Sequence, residues 1–238
     1  LNDRDVLAFN ELELNTLIYN DALIHDKRTF FQYYISLLKR NHLLIFSFYI
    51  NNNNYNSHII KMFLFFLFFA VHFAVNALFF DDKTMHKIMS NKGEFNFIYQ
   101  IPLIIYSSLI SGIINAIIKY LALTEKLILE IKGAKSIKDF KFKAKNIFNT
   151  IKIKFFIFFI MTLFLLLFLM YYVTCFCGIY INTQIHLIKD SFISFGLSLI
   201  YPFGLCLIPG IFRIASLRAN DKNKKCIYDF SKFIQSLL

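Results

Sequence analysis

The segment Phe155–Cys177 reads FFIFFIMTLFLLLFLMYYVTCFC and contains no charged residue. A helix rises about 1.5 Å per residue, so about twenty such residues cross a hydrocarbon core of about 30 Å. In lipid, a single segment satisfies all of its backbone N–H and C=O groups only when it is helical. The segment therefore predicts a transmembrane helix.

Three more segments have the same character: 59–80, 97–123 and 191–214. None of them alternates between apolar and polar residues, as the strands of a membrane barrel do. The whole chain has 238 residues and is 57% hydrophobic, more than a soluble domain of this length can bury. We therefore predict an all-α polytopic membrane protein with four transmembrane helices arranged as two hairpins.

Charge predicts the orientation. The link between spans two and three, Thr124–Lys154, carries nine lysines and three acidic residues, and the tail after span four is also basic. The links 81–96 and 178–190 are close to neutral. Because basic loops stay in the cytoplasm, we expect both termini and the lysine-rich link to be cytoplasmic.

The lysine-rich link alternates apolar and basic residues, as in IKDFKFKAKNIFNTIKIK. One interpretation is binding to anionic lipid headgroups, worth about 1 kcal/mol per basic residue near the surface. The other is a topology signal with no further role, and we expect no nucleic-acid binding. The candidate headgroup-binding residues are Lys135, Lys138, Lys141, Lys143 and Lys145.

The predicted domains are a cytoplasmic amino-terminal region (1–58), a four-span membrane domain (59–217) and a basic cytoplasmic tail (218–238). Within the first region, Arg28–Arg40 predicts an amphipathic helix at the membrane surface. The run LLIFSFYI after it fits a buried strand or part of that interfacial element. Because the chain begins at Leu1 rather than Met, we expect it to be a piece of a longer protein.

Span two has small residues at helical spacing, which allow two helices to approach closely in lipid. This pattern predicts a packing helix, within the bundle or with a partner. The predicted packing residues are Ser107, Ser108, Ser111, Gly112 and Ala116.

Span one contains His72 and Asn76, which are four residues apart and share one helix face. A polar group at bilayer depth is a functional candidate, but a buried histidine is also compatible with a neutral, hydrogen-bonded role. Span four contains Tyr201-Pro202-Phe203-Gly204 and Pro209-Gly210, which interrupt the helical hydrogen-bond ladder. Such a break either only kinks the helix or exposes backbone to a substrate. The candidate polar path is His72, Asn76, Asn115, Pro202, Gly204, Pro209 and Gly210.

Metal, cofactor and enzyme signatures are missing from the sequence. Its four cysteines form no CxxC pair, and the acidic and histidine residues of the links, Asp190 among them, match no named metal site. Nucleophile elbows, phosphate-binding loops and HExxH motifs do not occur. We therefore expect no cofactor, no bound metal and no catalysis.

Several stretches form a familiar set: VNALFFDDKTMHKI, EFNFIYQIPLIIYSSLIS and NTQIHLIKDSFISFGLSLIYPFGLCLIPGIFRI. As a set they resemble a group of multi-span membrane proteins from protists, over roughly Tyr33–Leu217. There is a fainter similarity to the membrane region of polycystin-1-like proteins, in the NALFF end of span one and the proline in the last hairpin. The latter similarity implies a receptor- or channel-associated role and assigns no functional residue.

These features together predict an integral membrane module of a receptor-like or channel-associated protein, which acts by helix packing and association. The alternative is a small transporter or channel subunit that uses the broken fourth span. The expected partners are the lipid bilayer, anionic lipids at the cytoplasmic face, and a membrane protein or a second copy of the chain.

Overall fold

The computed structural model describes residues 9–50, 55–90, 97–132, 137–181, 183–218 and 224–237. It is 88% helical, and these ranges contain no strand. The helices in chain order are α1 (Glu11–Thr16), α2 (Tyr19–His25), α3 (Phe30–Asn41), α4 (Leu43–Phe48), α5 (His58–Leu78), α6 (Asp82–Ser90), α7 (Phe97–Ala122), α8 (Glu125–Lys132), α9 (Ile137–Ile179), α10 (Gln184–Leu205), α11 (Leu207–Arg218) and α12 (Lys225–Leu237).

The chain forms two compact units. We call Asn54–Ser198 the span unit, and Leu1–Asn53 together with Leu199–Leu238 the terminal unit. The amino-terminal helices and the last two helices thus belong to one unit, a pairing of the two chain ends that the sequence did not reveal. The predicted domain boundaries at 58 and 217 stay predictions.

The four predicted transmembrane helices are confirmed. Four helical stretches are long and apolar enough to cross a membrane: His58–Leu78, Ile101–Leu129, Phe140–Ile179 and Gln184–Arg218. The chain is therefore suited to a lipid bilayer environment, since only lipid or other apolar helices can cover so much apolar helix surface.

Two of these helices begin earlier than predicted. Helix α9 begins at Ile137, so the second half of the lysine-rich link continues directly into span three. Helix α10 begins at Gln184 rather than near Ser191, because Leu187, Asp190, Ser191 and Ser194 all lie on a buried face at helical spacing. The link before span four is correspondingly shorter than predicted, and Asp190 lies inside the helix.

In the terminal unit, the predicted helix at Arg28–Arg40 is present as α3. Its first turn is closed by a capping box, in which the Thr29 hydroxyl accepts from the Gln32 backbone N–H and the Gln32 side chain accepts from the Thr29 N–H. The strand interpretation of LLIFSFYI is wrong, because residues 43–48 form α4. His42 caps this short helix through Nδ1, which accepts from the backbone N–H of Ile45 at 3.5 Å. The location of α3 at a membrane surface stays a prediction.

An ion pair joins α11 to the loop before α3. Arg213 is fully buried, and its Nε and Nη2 donate to Oδ2 of Asp26 at 3.1 and 2.8 Å. Nη2 also donates to the backbone carbonyl of Leu14 at 2.6 Å. The guanidinium lies between the rings of Tyr33 and Tyr228, at 4.9 and 4.8 Å from their centroids.

Arg28 completes this group of charges. Its Nε and Nη2 donate to the two carboxylate oxygens of Asp26 at 2.7 and 2.8 Å. Burial of Asp26 opposes its ionisation, but the hydrogen bonds and positive charges of Arg28 and Arg213 outweigh burial and lower the pKa of Asp26 below 3.8. On the other side of Arg213, burial raises the pKa of Tyr228 to about 12, and the Tyr228 hydroxyl donates to the carbonyl of Leu17. The chain ends are thus joined by a buried, hydrogen-bonded charge cluster.

The break in the fourth span lies at Cys206, between α10 and α11, and Pro202 is inside α10. Three carbonyls around this break have donors. The Pro202 carbonyl accepts from the Cys206 N–H at 3.0 Å, and that of Phe203 accepts from the Tyr34 hydroxyl at 3.0 Å. The Pro209 carbonyl accepts from Ser231 Oγ at 2.8 Å. These carbonyls are thus bonded within the terminal unit.

Glycine allows a close contact next to the break. A Cβ added to Gly210 would lie 2.9 Å from the Phe30 ring, whereas one added to Gly204 would meet nothing within 4 Å. Gly210 is therefore a packing residue of the terminal unit, because only a residue without a side chain leaves room for this ring.

We predict that Asp26→Asn strongly destabilises the chain at neutral pH. It leaves Arg213 buried without its counter-charge, which costs about 3 kcal/mol of unfolding free energy. Because the pKa of folded Asp26 is lowered, the stabilisation is present above about pH 3.8 and is lost as the pH falls through the folded value. The measurement is the unfolding free energy of wild type and variant in detergent as a function of pH.

The matched control for that comparison is Glu11→Gln. Glu11 pairs with Lys39 at 3.1 Å near the surface, so its loss should cost less than about 1 kcal/mol. Equal losses for the two variants, or an Asp26→Asn deficit that persists at acid pH, would contradict the structural role assigned to Asp26.

Candidate functional site

Polar side chains from three helices meet inside the span unit. They are His72 and Asn76 from α5, Ser111 from α7, and Asp190, Ser191 and Ser194 from α10, and all are buried. Residues four apart lie on one helix face, so the pairs 72/76 and 190/194 each occupy successive turns. The cluster therefore has two levels, one around His72 and one around Asn76.

At the first level, two serine hydroxyls contact the His72 ring. Nε2 lies 2.8 Å from Ser194 Oγ, and Nδ1 lies 3.2 Å from Ser111 Oγ. The Ser194 hydroxyl donates to the Ser191 carbonyl at 3.2 Å, which leaves its oxygen free to accept from His72 Nε2–H. Ser111 donates to the carbonyl of Ser108 or to His72 Nδ1. Both ring nitrogens thus have a partner whether His72 is neutral or charged.

At the second level, Asn76 links α5 to α10. Its Nδ2 donates to Oδ2 of Asp190 at 3.1 Å and to Ser191 Oγ at 3.0 Å. The remaining oxygens, Asn76 Oδ1 and Asp190 Oδ1, are buried and receive no hydrogen bond. Within the described ranges no Lys or Arg pairs with Asp190. At this level, therefore, one oxygen of the buried Asp190 carboxyl group and the oxygen of the Asn76 amide both lack a hydrogen-bond donor.

Apolar groups separate the cluster from the adjacent ends of α5 and α10. Leu187, one turn before Asp190, packs with Ala77, Phe80, Met85 and Phe176. Beside the first level, the Phe195 ring lies 5.5 Å from the His72 ring. The polar groups are thus enclosed in an apolar shell, which strengthens electrostatic interactions and increases the cost of an unsatisfied group.

A polar contact lies outside this shell. The hydroxyl of Tyr180, just after α9, donates to Oδ1 of Asp82 at the start of α6 at 2.7 Å. Because the carboxylate accepts from the neutral phenol, this bond raises the pKa of Tyr180. The contact ties the end of α9 to α6, which contributes Met85 to the apolar shell.

The predicted packing residues of span two fall on two sides of α7. Ser107 and Ser111 are buried, Ser108 is half-buried, and Gly112 and Ala116 are exposed, with no atom within 4 Å of a Cβ added to Gly112. Ser111 serves the polar cluster through its contact with His72, a role that the small-residue pattern did not reveal.

The predicted polar path is only partly gathered in the span unit. His72 and Asn76 belong to the cluster, whereas Asn115 has a buried side-chain oxygen that accepts no hydrogen bond from the described residues. The other predicted path residues are in the terminal unit: Pro202, Gly204, Pro209 and Gly210.

The candidate headgroup lysines lie at the start of α9 or before it. Lys141 and Lys145 are exposed and Lys143 is half-buried, near the exposed rings of Phe140 and Phe142. Lys135 and the side chain of Lys138 lie outside the described residues.

Asp190, Ser191 and Ser194 are the cluster residues that sequence reasoning missed. The apolar run predicts a span that begins near Ser191, with Asp190 in the link before it. The spacing Leu187, Asp190, Ser191, Ser194 is a helical pattern and would have indicated one face of a longer helix. That this face meets His72 and Asn76 is decided by tertiary packing.

The described residues contain no candidate metal site. Over the described ranges, no three or more His, Cys, Asp or Glu side chains converge in a way that could hold a metal ion. The four cysteines are free thiols, with Cys206 buried and Cys226 exposed. The polar cluster contains one carboxyl group, one imidazole, one amide and hydroxyls, a set suited to hydrogen bonding and proton binding.

Comparison of the chain with protein-family models, with curated proteins and with solved structures gave no match. The resemblance to protist membrane proteins and the fainter similarity to polycystin-1-like proteins gain no support and stay predictions.

We predict that Ser194→Ala destabilises the span unit by about 1–3 kcal/mol, because it leaves the buried Nε2 of His72 without a partner. Ser198→Ala, one turn further along the same helix, is the matched control, since Ser198 Oγ donates only to the Phe195 carbonyl. The measurement is thermal unfolding in detergent. Equal effects of the two substitutions would show that the His72–Ser194 bond contributes no stability.

Proposed function

We propose that this chain is the integral membrane module of a receptor-like or channel-associated protein. It acts by helix packing and association and carries out no catalysis. The observation that supports this proposal best is the small buried share of its spans, which leaves wide helix faces free for other helices.

Helices α7 and α9 carry most of this free surface. In their most apolar windows only 22% and 17% of the residues are buried, against 44% in α5. The outer face of α7 includes Gly112 and Ala116, where the small side chains allow a second helix backbone to approach closely. Lipid alone does not require small residues at such positions, so this face favours a helix partner.

The proposed orientation places both termini and the lysine-rich link in the cytoplasm. Its support is the basic excess in 124–154 and in the tail, together with near-neutral links on the opposite side. The exposed Lys141 and Lys145 lie next to exposed Phe140 and Phe142 at the start of α9. Basic and aromatic groups together suit the interface of a membrane with anionic headgroups, which we propose as the setting of this segment.

Association is expected to fail when the small-residue face of α7 is made bulky. In Gly112→Ile, the new side chain should hold a neighbouring helix away and lower the mass of the native complex. The measurement is the size of the detergent-extracted protein on a native gel, judged against 28.1 kDa for one chain.

Gly196→Ile is the matched control, because Gly196 is also exposed with no atom within 4 Å of an added Cβ. The proposal predicts that this variant keeps the wild-type complex. A wild type that migrates as a single chain, or a complex unchanged by Gly112→Ile, would overturn the proposed role of this face.

A second candidate function, that of a small transporter or channel subunit, is favoured by the buried polar cluster. Ionisable groups inside membrane helices mark ion and proton pathways in many transporters. In the broken fourth span the carbonyls of Pro202, Phe203 and Pro209 are bonded to protein donors. The carbonyls that Pro202 and Pro209 themselves free lie four residues earlier, at Ser198 and Leu205.

The second candidate predicts ion or proton flux by the purified protein in liposomes. Flux should be lost in His72→Leu, which removes the ring from the cluster, and should persist in Ser198→Ala. Pro202→Ala tests the break separately, since flux that survives this substitution would assign the pathway to the cluster alone. Wild-type liposomes without flux would exclude this candidate.

A further inference from the structure

The second level of the polar cluster has more hydrogen-bond acceptors than donors. Asp190 is 3% exposed and Asn76 is 0% exposed, and each has one oxygen without a donor. Leaving a carboxylate unpaired in an apolar interior costs far more than leaving a neutral group there, so such a group takes up a proton or a cation.

The neighbouring charged and titratable groups do not supply a counter-charge. Among the described residues none of them pairs with Asp190. On the elements packed around it they are His72 on α5, Tyr106 on α7, Tyr172 and Cys177 on α9, Tyr180 after α9, the exposed Asp82, Lys83, His86 and Lys87 on α6, and His186 and Lys189 on α10 itself. The positive charge that Asp190 needs must therefore come from outside the described chain.

We infer that Asp190 binds a proton, taken from the aqueous phase, in the folded span unit. An amide and a protonated carboxyl group can pair through two parallel hydrogen bonds, N–H to O and O–H to O. Asn76 already makes the first of these bonds, from Nδ2 to Asp190 Oδ2 at 3.1 Å. One proton on Asp190 Oδ1 supplies the donor that both oxygens lack.

A small metal cation fits the same place less well. Na⁺ and similar ions take several oxygen ligands, and most oxygens of this cluster are already engaged. Ser191 Oγ accepts from Asn76, and the hydroxyls of Ser194 and Ser111 bond to His72 or to backbone carbonyls. A proton needs no further ligands and no space.

The proton site does not depend on the association proposed for α7. For the second candidate function, the proton is the ion that would move through the cluster. His72 lies one helical turn from Asn76, about 6 Å along the axis of α5. Asp190 and His72 are thus two titratable groups on successive levels of one cluster.

The test compares wild type with Asp190→Asn, a neutral side chain of the same shape, in thermal unfolding between about pH 3 and about pH 9. If Asp190 is protonated when folded, the stabilisation is present at low pH and is lost as the pH rises. Wild type and variant should then match near about pH 3, below the unfolded aspartate pKa of about 3.9. Above that pH, wild type should fall behind by about 3 °C for each tenfold excess of folded over unfolded proton affinity. Asp229→Asn, at an exposed carboxyl on α12, should follow wild type throughout.

Two outcomes would overturn the inference. One is an Asp190→Asn deficit that is the same at every pH. The other is a wild-type melting temperature that falls when Na⁺ is replaced by N-methylglucamine at constant ionic strength, which would assign the site to a metal cation. The native-gel experiment on α7 is unaffected by either result, so failure here is distinguishable from failure of the proposed association.

If Asp190→Asn does not fold, infrared spectroscopy of the wild type provides a second test of the inference. With the aspartates labelled by carbon-13, a protonated aspartate at neutral pH gives a carbonyl band that ionised, water-exposed aspartates lack. The inference predicts such a band, which should disappear as the pH is raised. Its absence would overturn the inference.

Discussion

The packing of this protein depends on one constraint: a polar group buried away from water needs a hydrogen-bond partner, because leaving it unpaired is costly. The spans are so apolar that their few polar side chains find partners in one another or in backbone carbonyls of their own helix. The geometry of the span unit follows from this constraint, because the partners of the His72 ring and of Asn76 Nδ2 lie on α7 and α10 rather than on their own helix. Those hydrogen bonds select which faces of α5, α7 and α10 meet, which non-directional apolar contacts alone would not select.

The terminal unit meets the same constraint with a buried ion pair between Arg213 and Asp26. Arg213 has Asp26, the Leu14 carbonyl and two aromatic rings around its guanidinium. A buried arginine contributes little net stability compared with an apolar residue, but its hydrogen bonds demand one geometry. It therefore specifies how the chain ends pack, while Tyr34 and Ser231 satisfy the carbonyls next to the helix break.

The two buried groups of polar residues differ in how completely they are satisfied. Asp26 receives hydrogen bonds on both oxygens from Arg28 and Arg213, as expected of a structural charge cluster. Asp190 has one oxygen without a donor and no basic partner among the described residues. An incompletely satisfied buried group is costly unless a ligand completes it. This difference is the reason to look for function at Asp190 and for fold specificity at Asp26.

The sequence determined the helical class and the number of spans, because span length and apolar content follow directly from the thickness of a bilayer. It also indicated His72, Asn76 and the helix at Arg28–Arg40, since these depend on local spacing. It did not reveal Asp190 as a partner of Asn76 or the burial of Arg213. Those features depend on contacts between residues far apart in the chain, and only the tertiary structure decides which helix faces meet.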